Sequence, residues 1–138
     1  MIDVSHISQD NLELASQQLW DVLQGYITYI SPKDLELIEM AFLQMVEAHQ
    51  NQRRKSGEFY ITHPVSACIT LAQMNLDRDT LIGALLHDVP EDTHISLRDL
   101  EKIFSKEAIF LISGVTKLSV IKYKGEEGSG YGDCLVLC

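Results

Sequence analysis

The sequence predicts an all-α protein with one compact domain. Apolar residues recur at helical spacing through most of its 138 residues, and strand-like alternation over five residues occurs only at Ser119–Tyr123. Ser31 followed by Pro32 is the clearest helix start, because serine caps a helix and proline suits its first turn. A chain of this length holds one domain, and it contains no internal repeat.

We expect six helices, of which the first two cover residues 9–29 and about 31–52. Their apolar side chains repeat at helical spacing, so each helix should bury one stripe. Trp20 and Tyr26 are expected in the core. His49 lies on the apolar stripe of the second helix, and we interpret it as a core or boundary histidine and not a ligand.

The other four helices follow a loop at residues 54–62, in which Gly57 allows a turn. They open, in order, at His63–Pro64, near Asp79, near Ser96 and near Ser105. The fourth helix is apolar on nearly every face, which predicts that it is buried. Pro90 lacks the N–H of a helical residue, so this helix should end near Val89.

Composition and charge narrow the class of protein. At 46% hydrophobic and 22% charged residues the chain is typical of a soluble globular domain, and no apolar run approaches the roughly 18 residues of a membrane span. The first 20 residues lack the pattern of a signal peptide. Three cysteines without a secreted context predict a cytoplasmic protein with reduced thiols. The net charge of −9 argues against nucleic acid and anionic membranes as partners.

Residues 83–93 (GALLHDVPEDT) join an apolar run to side chains that can bind a metal ion or move protons. His87 and Asp88 come at the inner end of the buried fourth helix, where an ionised carboxylate costs roughly several kcal/mol unless it is paired or metal-bound. The break at Pro90 should direct Glu91 and Asp92 across an opening. A helix end with a solvated acidic cap is the alternative, and it is the commoner origin of an isolated His-Asp pair.

Positive charge is concentrated just before another histidine. Residues 1–52 hold eight carboxylates and one lysine, Lys33, and then Arg53, Arg54 and Lys55 follow together. The alternative without a functional role is a solvated basic turn. Beside a metal site, the same run would form a clamp for an anionic substrate.

Three segments together resemble the HD-domain metal phosphohydrolases, and in particular the (p)ppGpp hydrolase domain of the RelA/SpoT family. They are residues 53–64 (RRKSGEFYITHP), residues 83–93 and residues 111–118 (LISGVTKL). The resemblance runs from about Met40 to Lys124. It implies an HD-domain helical bundle in residues 1–124 that is C-terminally incomplete.

The resemblance also implies a role for individual residues. The implied metal ligands are His63, His87 and Asp88. The implied pair that positions or deprotonates the attacking water is Glu91 and Asp92. The implied nucleotide contacts are Arg54, Lys55 and Ser56. The implied cofactor is one divalent ion, usually Mn²⁺ in the family. The implied reaction removes pyrophosphate from the 3′ position of guanosine tetra- or pentaphosphate and leaves GDP or GTP, a step of alarmone metabolism in the stringent response.

The chain departs from this family after the Lys117 region. There the family continues into helices that supply a fourth metal ligand, an aspartate, and an asparagine that contacts the nucleotide. Here residues 125–132 hold four glycines, so we expect a disordered tail at residues 125–138. Asp133 lies in a context that does not match the family's aspartate. The sequence therefore leaves open whether this chain is active on its own.

Two other functions remain open at this stage. Short HD hydrolases of this branch act on other phosphorylated nucleotides, and the motifs do not distinguish these substrates. A non-catalytic fragment that binds a nucleotide or a partner chain is the second alternative. Without the missing helices, apolar residues would be exposed and could support self-association; they are Val115, Leu118, Val120 and Ile121.

Overall fold

The computed structural model describes residues 5–114 and confirms the all-α class. Its helices are α1 (Leu12–Tyr26), α2 (Pro32–Ala48), α3 (Thr62–Ala72), α4 (Arg78–Leu86), α5 (Val89–Asp92) and α6 (Leu97–Glu101). A further helix, α7, begins at residue 106 and continues to residue 114, where the description ends. Within residues 5–114 the chain forms no strand, and an isolated bridge joins Arg53 to Phe59. The predicted tail at residues 125–138 and the piece Ser119–Tyr123 lie outside the described residues.

The first two helices begin at side-chain caps. Asn11 accepts a hydrogen bond from the backbone N–H of Leu14, so α1 is shorter than the predicted 9–29. Ser31 accepts one from Asp34, with Pro32 in the first turn, as predicted. Trp20 is buried, but the prediction that Tyr26 is a core residue is wrong. Its side chain is 36% exposed, because α1 ends there and the last turn leaves the packed face.

Helix α4 lies at the centre of the bundle and packs against α2 and α3. Every residue from Leu81 to Leu86 is buried, which confirms the burial predicted from its apolar faces. A Cβ atom added at Gly83 would lie 3.3 Å from the Cβ of Leu111, so α4 and α7 approach closely at this position. Core residues therefore surround α4 on nearly all sides, and this helix precedes the candidate site.

The chain breaks after α4 where the sequence predicted. Helix α4 ends at Leu86 with His87 as its C-cap, and the one-turn helix α5 starts at Val89 with Pro90 in its first turn. His87 and Asp88 lie at the break, as the C-cap of α4 and the N-cap of α5. Among the described residues, no helix combines the length and the hydropathy that crossing a bilayer requires.

Candidate metal and nucleotide site

Two buried helices bring the three predicted metal ligands together. His63 lies in the first turn of α3, and His87 and Asp88 follow the last residue of α4. One ligand atom from each of them lies within 4.8 Å of the other two, and this is the group of metal-binding type found among residues 5–114. The rings of His63 and His87 have centroids 5.8 Å apart. His63 and His87 are therefore neighbours in the fold, although they are far apart in the sequence.

The hydrogen bond of His87 tests whether these donors fit a cation. Its Nδ1 lies 2.7 Å from the carbonyl oxygen of Ala84, and because a carbonyl only accepts, Nδ1 carries the proton. The lone pair of Nε2 then faces Asp88 Oδ1 at 3.3 Å. Two electron-rich atoms at this distance repel each other unless a cation or a proton lies between them. A histidine anchored through its other nitrogen to a carbonyl is typical of metal ligands, so the set fits a divalent ion.

The electrostatics of His63 agree with this fit. Its side chain is 18% exposed, and its Nε2 lies 3.8 Å from Asp88 Oδ2. Desolvation lowers the pKa of His63 below 6.5, although the nearby Asp88 carboxylate acts in the opposite direction. The neutral imidazole that a metal ion requires is thus the favoured form at neutral pH.

Helix α5, which begins directly after Asp88, carries the predicted acidic pair. Glu91 and Asp92 are both exposed at the surface. Partial desolvation raises the pKa of Asp92, and the negative charge of Asp88 raises it further. Desolvation also raises the pKa of Glu91, with added repulsion from Asp92 and Asp88. The two carboxyls therefore share the electrostatic field of the ligand group, and each holds a proton more readily than a free side chain.

The first two residues of the basic run, Arg53 and Arg54, make different contacts. Arg53 stacks its guanidinium 4.2 Å from the centre of the Phe59 ring and donates to the carbonyls of Gln9 and Gly57, at 2.9 and 2.6 Å. These contacts hold Arg53 against Phe59 and the neighbouring backbone. Arg54 has its guanidinium carbon 6.0 Å from the centre of the Tyr60 ring, beside the ligand group.

Lys55 and Ser56 lie at the exposed tip of a tight turn. The Arg54 N–H donates to the Glu58 carbonyl and the Gly57 N–H donates to the Arg54 carbonyl, each at 2.9 Å. Gly57 has φ +97°, which side chains other than glycine rarely adopt. The turn that the sequence predicted at Gly57 is therefore confirmed, and Lys55 and Ser56 lie within it.

Three residues next to the ligands were not predicted as part of the site. The Tyr60 hydroxyl donates to Asp88 Oδ2 at 2.5 Å. The His49 ring lies 4.7 Å from the Tyr60 ring, and Gln52 bonds both His49 Nδ1 and the Asp92 carbonyl, each at 2.9 Å. His49 is buried, as predicted, but it packs against this group. Tyr60 precedes His63 by three residues, and this one-turn spacing is the sequence signal that could have identified it.

Residues 41–129 match the family model of the HD domain. The chain belongs to the HD domain family. The match includes all three candidate ligands, the acidic pair and the basic turn, so the HD assignment covers every part of the site described above.

Curated relatives of this HD domain place it beside the (p)ppGpp enzymes. The bifunctional (p)ppGpp synthase/hydrolase SpoT of Escherichia coli is 43% identical over 100 residues, which cover 72% of this chain and 14% of that protein. A guanosine-3′,5′-bis(diphosphate) 3′-pyrophosphohydrolase of Aquifex aeolicus is 40% identical over the same shares. A GTP pyrophosphokinase of Streptomyces coelicolor is 38% identical over 107 residues, 78% of this chain and 13% of that protein. The resemblance to the RelA/SpoT hydrolases is confirmed, and the chain spans 14% or less of the length of these relatives.

Proposed function

We propose that this HD domain hydrolyses (p)ppGpp at the 3′-diphosphate and releases pyrophosphate. The observation that carries the proposal is the convergence of His63, His87 and Asp88 beside the Arg54 side chain. The relatives support the choice of substrate, since several of them are named as guanosine-3′,5′-bis(diphosphate) 3′-pyrophosphohydrolases.

Mn²⁺ is the cofactor that we propose for the ligand group. Imidazole nitrogen and carboxylate oxygen are both acceptable donors to this ion, and His63 and Asp88 remain partly accessible to solvent. When bound, the ion supplies a lowered pKa for water and neutralises phosphate charge. The two histidines and Asp88 provide three protein donors, which leaves positions for water and substrate.

Glu91 and Asp92 are the residues that we propose to move protons. Both have a pKa raised toward neutrality by desolvation and by neighbouring carboxylates. A carboxylate of this kind accepts a proton from the attacking water more effectively than a fully solvated one, because its basicity is closer to the working pH. Both residues lie on the one-turn helix α5, whose N-cap is Asp88.

The basic turn is proposed to hold the nucleotide. The planar guanidinium of Arg54 can pair with two phosphate oxygens or stack on the guanine ring. Glu58 lies 3.7 Å from Arg54 Nε, so a bound phosphate would replace a weak, half-exposed ion pair. Lys55 and Ser56 would add a positive charge and a hydroxyl donor at the tip of the turn.

The chemical step balances without any further reactant. The oxygen of a water molecule bonds to the phosphorus attached to the 3′ oxygen, and the bond from that phosphorus to the 3′ oxygen breaks. Glu91 or Asp92 accepts the proton of the water, and this proton is then passed to the 3′ oxygen as it leaves. The products are pyrophosphate and GDP from ppGpp, or pyrophosphate and GTP from pppGpp.

A manganese-dependent assay of pyrophosphate release tests this function. The purified chain should release pyrophosphate from ppGpp with Mn²⁺, and should lose this activity with a chelator. Asp88→Asn should be inactive, whereas Asp10→Asn, at an exposed position outside the site, should match the wild type. Hydrolysis of another phosphorylated nucleotide but not of ppGpp would identify that nucleotide as the substrate in place of ppGpp. Nucleotide binding without turnover of any of them would favour the non-catalytic alternative.

Two further expectations, the compartment and self-association, stay predictions. The cytoplasm as the compartment agrees with Cys68, which is a buried free thiol. The predicted self-association depends on residues 115–121, which lie outside the described residues. Asp133 also lies outside them. Phe110 on α7 is 74% exposed, so light scattering of the wild type and of Phe110→Ser would test the association.

A further inference from the structure

We propose that Tyr60 is a positioning residue that fixes the Asp88 carboxylate for the metal ion and connects this ligand to the nucleotide turn. The inference rests on the proposed function and adds to it a residue outside the predicted ligand set. Tyr60 lies at the end of the basic turn and one helical turn before His63.

The hydrogen bond of Tyr60 fixes the rotation of the carboxylate. Its hydroxyl donates to Asp88 Oδ2 at 2.5 Å, the short distance typical of a donor to an ionised oxygen. Asp88 Oδ1 then lies 3.3 Å from His87 Nε2, and Oδ2 lies 3.8 Å from His63 Nε2. Rotating the carboxylate would break the tyrosine contact, so the third ligand is oriented before any ion binds.

The surroundings of Tyr60 keep it a donor at a fixed place. Burial and the bond to Asp88 both raise the pKa of its phenol, so the hydroxyl stays protonated. The Tyr60 backbone N–H donates to the Gln52 carbonyl at 3.0 Å. Its ring contacts the rings of His49 and His63, with centroids at 4.7 and 5.6 Å. The ring therefore cannot move without disturbing two neighbouring side chains.

Gln52 and His49 support the ring from the end of α2. Gln52 Oε1 only accepts, so His49 Nδ1 donates to it at 2.9 Å, and His49 is 1% exposed. The amide nitrogen of the same Gln52 donates to the carbonyl of Asp92 at 2.9 Å. Gln52 thus bonds both to His49, which packs against Tyr60, and to the backbone of α5. This arrangement explains how a half-buried tyrosine holds its geometry at the edge of the site.

Tyr60 also faces the nucleotide turn. The Arg54 guanidinium carbon lies 6.0 Å from the centre of the Tyr60 ring, at the outer limit of a cation–π contact. A nucleotide that engages Arg54 would therefore lie next to the residue that orients Asp88. We infer that Tyr60→Phe affects the requirement for Mn²⁺ more than the rate at saturating Mn²⁺.

The test is a direct Mn²⁺ titration without nucleotide, read from the electron paramagnetic resonance signal of free Mn²⁺. Tyr60→Phe removes the hydroxyl and keeps the ring, and we expect it to weaken Mn²⁺ binding about 10-fold. The matched control is Tyr29→Phe, because the Tyr29 hydroxyl donates to the Leu76 carbonyl at 2.6 Å, outside the site. The control should bind Mn²⁺ like the wild type, and the metal-free melting temperature should report an intact fold for both.

A second measurement separates positioning from general loosening. The shifts in metal-free melting temperature caused by Tyr60→Phe and Asp88→Ala should not add, because either change removes the same hydrogen bond. Additive shifts, or a Tyr60→Phe chain that binds Mn²⁺ as tightly as the wild type, would overturn the inference. A wild type that binds neither Mn²⁺, Co²⁺ nor Zn²⁺ would overturn it together with the metal site.

Failure of the proposed function has a different signature. If Tyr60→Phe binds Mn²⁺ more weakly but the wild type does not hydrolyse ppGpp, the role of Tyr60 is supported and ppGpp is excluded as the substrate. If the chain is active, excess Mn²⁺ should restore turnover to Tyr60→Phe but not to Asp88→Asn, since only Asp88 is itself a ligand.

Discussion

The metal side and the nucleotide side of this site are supported in different ways. His63, His87 and Asp88 are attached to α3 and α4, two helices whose inner residues are almost entirely buried. Arg54, Lys55 and Ser56 lie in an exposed turn whose main local constraints are backbone hydrogen bonds and the conformation of Gly57. Core packing therefore fixes the proposed ligands before any ion binds, whereas the proposed nucleotide contacts keep side-chain freedom in the turn.

This difference follows from the demands of the two ligands. A metal ion needs donors placed within a few tenths of an ångström, which only a packed core supplies. A large, highly charged nucleotide gains from flexible side chains that adapt to its phosphates, at the cost of ordering them on binding. Changes on the metal side should thus act on ion affinity, and changes in the turn should act on nucleotide affinity.

The largest effect is expected at the ligands themselves. His63→Ala should lower Mn²⁺ affinity at least about 100-fold, because loss of a ligand costs more than loss of its supporting contacts. His94→Ala, at an exposed histidine after α5, is the control and should leave the affinity unchanged. Calorimetric titration with Mn²⁺ measures both, and similar affinities in the two variants would exclude His63 as a ligand.

A smaller effect is expected in the turn. Arg54→Ala should weaken binding of ppGpp about 10-fold in the absence of metal, since it removes the guanidinium beside the site. Lys33→Ala removes the same charge at the start of α2 and should change the affinity little. Arg53→Ala should instead lower the melting temperature, because Arg53 is held by Phe59, Gln9 and Gly57. Equal affinities for Arg54→Ala and Lys33→Ala would mean that the turn is only a solvated loop.

The backbone of the turn gives the next effect. Gly57→Ala should destabilise the fold by about 1 kcal/mol, because alanine is strained at φ +97°. Gly25→Ala in α1 meets no atom within 4 Å and should stabilise by about 0.5–1 kcal/mol through helix propensity. Urea unfolding of the two variants compares them directly, and stabilisation by Gly57→Ala would show that this conformation is not required.

The smallest effect concerns pH. Desolvation lowers the pKa of buried His49 below 6.5, so the unfolded chain binds a proton more readily than the folded chain. Stability is therefore complete above pH 6.5 and should fall as the pH drops from there toward the lower, folded-state pKa. His49→Gln should reduce this loss in metal-free melting curves, whereas His94→Gln should not. An unchanged pH dependence in His49→Gln would assign the effect to His63 alone, whose pKa is lowered in the same sense.

The sequence by itself determined the helical class, the start of α2 and the break after α4, because these features depend on residues close together in the chain. The apolar faces of α4, the serine and proline at the start of α2 and the break at Pro90 depend on neighbours within a few residues. The pairing of His87 with Asp88 is also local. The link to His63 came from a family resemblance, and the structure then brought the two histidines together.

Only the tertiary structure decided how the polar side chains divide between fold and site. Arg53 and Arg54 are adjacent and identical in the sequence, yet one stacks on Phe59 and the other lies beside Tyr60. His49 was predicted as a core residue and is one, but its ring also packs against Tyr60, whose hydroxyl bonds to Asp88. Such roles depend on which atoms meet across helices that are distant in the chain, and local periodicity carries no information about those meetings.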